Sequence, residues 1–120
     1  MSPMEFEQAK LCIKEQTTRA ELLAQLAEEA AELIHAALKM RRVIEGTNPT
    51  PVSFDQAFEN LVEEVADVRL LMHLLDFDFI SLEIQRRMDG KLMRWQSRLK
   101  ENEKTETDQA TLARMEVMPK

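Results

Sequence analysis

Two stretches restrict this chain more than any others. Gln25–Glu32 (QLAEEAAE) and Glu63–Asp67 (EEVAD) each set carboxylates three residues apart, Glu29/Glu32 and Glu64/Asp67, inside apolar patterns of helical period. Side chains at that spacing share one helix face. Two such helices packed together bring four carboxylates into a small volume, where like charges repel unless a proton or a cation intervenes. The chain must therefore fold so that those faces meet around a cation, or so that they avoid one another.

The surrounding sequence supplies the helices. With 44% hydrophobic and 32% charged residues, only two Gly and four Pro, and no Tyr, the chain is rich in helix formers and poor in the aromatic residues that sheets use. The expected fold is all-α, an antiparallel bundle of four to five helices completed by oligomerisation. At 120 residues it is read as one domain over 1–101, with a polar tail at 102–120 that has room for a short helix over Asp108–Met118.

Pro3 to about Gln16 reads as a first helix, with Pro at its first position. A second runs from Arg19, after Thr17 or Thr18 as cap, to about Glu45, and Gly46 stops it. Its apolar stripe is Leu22, Leu26, Ala30, Leu33 and Ala37, widened by Leu23, Ala27, Ile34 and Leu38, with Gln25, Glu29, Glu32 and Ala36 along the edge. A loop with two prolines covers 46–52. Ser53, with Gln56 three positions on, opens a third helix from Phe54 to about Phe77. One of its faces carries Phe54, Phe58, Leu61, Val65, Val68, Met72 and Leu75, a second Val62, Ala66, Leu70 and Leu74, so it needs two partners. Glu64 falls inside the apolar arc, where an unpaired carboxylate costs several kcal/mol. A fourth helix, capped by Asp78, runs from Phe79 to about Glu101, with Gly90 in it marking close approach of another backbone or a ligand.

Composition also excludes. Sixteen Lys+Arg against 22 Asp+Glu give a net charge of −6, which argues against a nucleic-acid binder relying on a basic surface. Cys12, the only cysteine, is expected to be a buried core thiol. No apolar run is long enough for a membrane span and no signal-peptide pattern opens the chain, so the expected location is the cytoplasm.

Oxygen-only ligands favour Mg²⁺ or Mn²⁺ over zinc or copper. Glu32 and His35 also form Glu-x-x-His, the element of di-iron bundles. The second copy is missing, because Leu70 stands three residues before His73, and His35 lies off the apolar arc as a surface residue would. Helix four concentrates basic residues, and Lys91, Arg94 and Arg98 are spaced to line up toward phosphate oxygens.

Gln25-x-x-Glu28-Glu29-x-x-Glu32, followed by Glu63-Glu64-x-x-Asp67, resembles the Glu-x-x-Glu and Glu-x-x-Asp signature of the all-α nucleoside triphosphate pyrophosphohydrolases, the MazG-like superfamily. Lys91-Leu92-x-Arg94 is similar to the basic motif that ends the core of small members, and the resemblance covers roughly residues 20–99. It implies Mg²⁺-dependent attack of water between the α and β phosphates of a nucleoside triphosphate. Glu29, Glu32, Glu64 and Asp67 would hold the metal, Glu28 or Glu63 would orient the water, and Lys91 and Arg94 would take the leaving pyrophosphate. It further implies a homodimer or homotetramer with sites near subunit interfaces. The separation of Glu32 from Glu64 is longer than in the most compact members, and Leu71 replaces the aromatic found one turn after the final Asp of some nucleotide-specific relatives. Their base selectivity therefore does not transfer. Two other functions compete: a phosphoribosyl-ATP pyrophosphohydrolase, and a helical oligomerisation or regulatory module without turnover.

Overall fold

The structure is a computed structural model that describes residues 1–47 and 52–116. Among these the chain is helical apart from short connections: α1 (Pro3–Gln16), α2 (Arg19–Glu45), α3 (Phe54–Leu74), a 3₁₀ turn (Phe77–Ile80) and α4 (Ser81–Glu116). The all-helical class expected from the sequence is what the structure shows. The central part of the two-proline loop, 48–51, lies outside the described residues, as does the end of the expected tail helix at Met118. Two compact units divide the chain, Met1–Phe79 and Ile80–Lys120.

Local chemistry fixes the helix ends. The side chains of Ser2, Thr18 and Ser53 accept hydrogen bonds from the backbone N–H groups of Glu5, Glu21 and Gln56, each at 3.1 Å, and so satisfy a free donor at the start of α1, α2 and α3. The α2 cap is thus Thr18; the Thr17 hydroxyl instead donates back to the Ile13 carbonyl at 2.8 Å. Gly46 closes α2 in the left-handed region at φ 71°, and the Thr47 N–H reaches the Arg42 carbonyl at 2.9 Å.

Helix α3 stops at Leu74, three residues short of the expected Phe77. Asp76 adopts φ 62°, a left-handed conformation that Asp tolerates better than most residues, and Lys14 of α1 holds it with Nζ 2.5 Å from Oδ2. The chain then makes the 3₁₀ turn. Asp78 lies in that turn and does not cap α4: its Oδ2 is 2.8 Å from His73 Nδ1.

Helices α2 and α3 are antiparallel neighbours. Leu22, near the start of α2, clusters with Leu71, Leu74 and Leu75 at the end of α3, with Leu26 and Phe77 packed against them. Further along, Ala36 and Met40 are buried on α2, and Ala57 and Val68 on α3. At about 100° per residue, the packed face of α2 is centred on Leu22, Leu33 and Met40, and that of α3 on Ala57, Leu61 and Val68.

This differs from the sequence expectation in rotation. Ala36, placed on the edge, is buried, whereas Leu23, Ile34 and Leu38, counted in the α2 stripe, are exposed. On α3, Phe54, Phe58, Val62, Val65 and Met72 are likewise exposed, and Phe54 stacks on Phe58 with ring centroids 6.2 Å apart. Both helices carry more apolar surface than one neighbour can cover, so periodicity alone could not say which part faces inward. Helix α1 buries no residue; it touches α3 through an edge-to-face contact of Phe6 with His73 and the turn after α3 through Lys14 and Asp76. Cys12, expected in the core, is exposed for the same reason: the apolar residues of α1 are too few and scattered to bury a face.

The second unit is α4, a 36-residue helix without a buried residue. It runs through Glu101 without a break, so residues 102–116 continue the helix and form no separate short one. The close backbone expected at Gly90 is not found among the described residues: outside its own helix backbone, a methyl added there would meet only Arg94 Nη1, at 3.4 Å. Among the described residues no helix is long and apolar enough to cross a membrane.

Candidate metal centre

The antiparallel pairing sets the middle of α2 against the middle of α3, and there the two acidic motifs meet. Glu29 of α2 with Glu64 and Asp67 of α3 can each bring one carboxylate oxygen within 4.8 Å of the others. The residues of this group are those picked out by their spacing, with one difference. Glu32 is exposed and stands outside the group of three, although its charge is felt at Glu64. Glu28 and Glu63 are also exposed, on the solvent side of their helices.

Glu64 carries the tension of the site. Its Oε2 is shut off from solvent and has no hydrogen-bond partner among the described residues. Burial pushes its carboxyl above the usual range, and the negative charges of Asp67, Glu29, Glu32 and Glu63 push it further the same way. A buried acceptor without a donor is rare in native proteins. Here the neighbours that might have supplied a donor are carboxylates.

Glu29, by contrast, is steadied. Gln25 Nε2 donates to Glu29 Oε1 at 2.9 Å, one helical turn away. Sequence reasoning quoted Gln25 as part of the motif but gave it no role; the i,i+4 amide–carboxylate spacing was the signal. The bond occupies one Glu29 oxygen and leaves Oε2 without a side-chain donor among the described residues.

An all-oxygen group drawn from two helices, with one oxygen buried and unpartnered, has the donor chemistry of a Mg²⁺ or Mn²⁺ site. It lacks the imidazole and thiolate ligands that zinc or copper sites use: His35 is exposed on α2 and Cys12 is on α1. The expected phosphate ligands Lys91 and Arg94 are exposed on α4, in the second unit. No carboxylate pairs with either among the described residues, whereas Arg86 and Arg87 both reach Glu83, at 3.4 and 2.8 Å. Comparison of the chain with models of known protein families, with curated proteins and with solved structures found no match.

Proposed function

We propose that this chain is a Mg²⁺-dependent nucleoside triphosphate pyrophosphohydrolase of MazG-like type, cleaving an NTP or dNTP between the α and β phosphates in cytoplasmic nucleotide house-cleaning. The observation that carries the reading is the buried, partnerless Glu64 Oε2 facing Glu29 and Asp67. A divalent cation is what would make that arrangement tolerable, with Mn²⁺ able to replace Mg²⁺ and Glu32 available beside the group as a further ligand. When bound, such an ion neutralises triphosphate charge and acidifies water.

The chain's own groups account for the rest. Glu29, held by Gln25, together with Glu64 and Asp67 would hold the ion. Glu28 or Glu63, exposed on either side of the group, orients the attacking water and takes its proton as the water oxygen bonds to the α phosphorus. The bond from that phosphorus to the bridging oxygen breaks, and pyrophosphate leaves with the electron pair. Lys91 and Arg94, which have no carboxylate partner among the described residues, would receive that charge, and Arg supplies a two-pronged donor for phosphate oxygens. Assembly as a homodimer or homotetramer that completes the helical bundle belongs to the same reading.

A second reading keeps the fold and drops the chemistry: a helical oligomerisation or regulatory module. The exposed apolar residues of α2 and α3 favour it, since surface of that kind marks an interaction site. Incubation of the pure protein with a panel of NTPs and dNTPs in Mg²⁺ separates the two. Pyrophosphate release that disappears in Glu64→Gln supports the enzyme; absence of release from every nucleotide, with no metal-dependent change in melting temperature, leaves the module. Phosphoribosyl-ATP as a competitor in the same assay tests the neighbouring substrate class.

A further inference from the structure

The packed seam between α2 and α3 divides their remaining surface into two sides. Rotation about each helix axis from the seam in one direction reaches Gln25, Glu28 and Glu32 on α2 and Glu63 and Asp67 on α3. Because the helices are antiparallel, rotation in the opposite direction on both reaches a single common face. On it lie Leu23, Ile34 and Leu38 of α2 and Phe58, Val62 and Val65 of α3, all exposed. Leu22 clusters with the Leu71–Leu75 end, and an antiparallel register continued from there puts Leu23 level with Met72, Ile34 with Val62 and Leu38 with Phe58 along that one face.

With Phe54 and Met72 this face holds eight large apolar side chains, each between 38 and 58% exposed. Only Phe54 and Phe58 are aromatic, so the aromatic range of about 150–250 Å² per side chain is an upper bound for the others, and the face leaves on the order of 500 Å² of apolar surface. A monomer's largest patch is about 300–600 Å², and one side of a standard protein interface buries about 800 Å². The face therefore matches the largest patches that monomers carry, which are often functional, and with its polar rim it would make one side of an interface.

Its pattern points to a second copy of the same chain. Along α3 the residues Asp55, Phe58, Val62, Val65, Arg69 and Met72 follow one another at alternating steps of three and four, the seam spacing of paired helices. Asp55 and Arg69 stand seven residues on either side of Val62, on the same stripe and with opposite charge. Neither has an ion-pair partner among the described residues. A two-fold axis passing at Val62 and perpendicular to α3 sets Asp55 of each copy against Arg69 of the other, and Val62 against Val62. That is self-complementarity of the isologous kind.

We infer that the face of α2 and α3 opposite the acidic residues is a homodimer interface in which α3 packs antiparallel on α3 of a second copy, centred on Val62 and closed by reciprocal Asp55–Arg69 pairs. The inference goes beyond the assembly proposed above by fixing face, register and orientation. It also turns both acidic groups away from the interface, where the family resemblance had implied sites beside it. It rests on the oligomeric part of that reading and on none of its chemistry.

The test reads mass in solution and metal binding separately. Sedimentation equilibrium of the full chain should give a dimer at micromolar concentration. Val62→Asp should weaken the dimer at least about a hundredfold. Arg69→Asp, which sets like charges together twice per dimer, should weaken it at least about tenfold. Asp55→Arg combined with Arg69→Asp should return it to within about threefold of the parent. Both charged positions are exposed in the single chain, so the double variant keeps the test decisive even where Val62→Asp fails to fold. Mn²⁺ affinity by electron paramagnetic resonance should stay within about threefold of the parent in Arg69→Asp. A parent that is monomeric at 100 µM overturns the inference, showing that another protein or the chain's own remaining residues cover the face. So does a dimer indifferent to Arg69→Asp, or one that the double variant leaves weak. Loss of pyrophosphohydrolase activity alone would bear on the chemistry and leave the interface standing.

Discussion

Glu64→Gln should raise the stability of the metal-free protein at neutral pH while abolishing its response to Mn²⁺. In the folded chain the carboxyl of Glu64 is raised above its ordinary range by burial and by Asp67, Glu29, Glu32 and Glu63. The protonated form is thus favoured on folding. The stability this group contributes is complete below the ordinary carboxylate range and is lost as pH rises through the raised folded value. Above that raised value the wild type carries an unfavourable charge at this half-buried position. The amide introduced by Glu64→Gln removes that charge and brings two donors among carboxylate acceptors. A cation relieves the same strain in the wild type from the other direction. At a hundredfold excess over its Kd, a ligand that binds only the folded state stabilises it by about 2.7 kcal/mol. For a folded unit the length of Met1–Phe79, where 1 kcal/mol moves Tm by about 4–8 °C, that is a rise on the order of 10 °C or more. Differential scanning calorimetry of both proteins, with EDTA and with Mn²⁺, at pH 5 and pH 7.5, separates the effect of the charge from that of the ion. The metal-free variant should melt above the wild type at pH 7.5, and the gap should shrink at pH 5. Mn²⁺ should raise the wild type strongly and the variant by no more than about 2 °C. A variant that melts below the wild type at pH 7.5 and still gains fully from Mn²⁺ would refute the placement of a strained, cation-seeking carboxylate at this position.

Four further outcomes follow from other parts of the structure. Lys14, by its hydrogen bond and then by its charge, with help from Lys10 and Arg19, holds the Asp76 carboxyl below its usual range against the opposing effect of burial. The stability this supplies is present above the ordinary carboxylate range and lost as pH falls through the lowered value; in Asp76→Asn, hydrogen exchange of α1 amides should become faster at pH 7 and lose that pH dependence. Leu71→Ala, in the cluster with Leu22, Leu74 and Leu75, should cost about 2–5 kcal/mol by urea unfolding, and a cost below 1 kcal/mol would mean that α2 and α3 do not pack there. Gly90→Ala should stabilise α4 by about 0.5–1 kcal/mol, since the added methyl meets only the flexible end of Arg94; thermal melts followed by helical circular dichroism check it. Arg94→Ala should lower kcat/KM for nucleotide hydrolysis about ten- to hundredfold, the loss of a charged hydrogen bond worth about 1.5–3 kcal/mol, and an unchanged value would remove Arg94 from the phosphate-binding group.

Much of the architecture was legible because the helix ends and the carboxylate spacing are local facts. Ser2, Thr18, Ser53 and Gly46 cap where their chemistry says they should. Glu29, Glu64 and Asp67 converge because three-residue spacing on two antiparallel helices leaves them few other places to go. What could not be read was decided between elements. The end of α3 depends on Lys14, 62 residues away in sequence, gripping Asp76, and no local window contains both. The rotation of α2 depends on α3 having equally abundant apolar surface, so Ala36 turns inward and Ile34 outward although Ile is the more hydrophobic. Small residues at a helix seam let two backbones approach closely, and the burial of Ala36 and Ala57 is that effect. Cys12 is exposed despite its apolar neighbours because α1 lacks a face continuous enough to pack.

That same rotation bears on the choice between enzyme and inert module. Turning Ile34 and Leu38 outward and Glu29 inward is a poor exchange for a helix pair that only needs to be stable, since it exposes apolar surface and strands the Oε2 of Glu64 opposite like charge. Replacing a buried charge by an apolar residue of similar volume is commonly neutral or stabilising, so a module free of chemical duties would gain by having Leu or Met at position 64. The proposed interface would account for the exposed apolar face, and a module would have one too. The acidic face is not accounted for in this way, because its residues lie on the opposite side of the seam and contribute nothing to that contact. Proteins concentrate such locally unfavourable groups where they bind or react. Two faces with two different costs therefore call for two different tasks, and a module that only assembles would explain one of them.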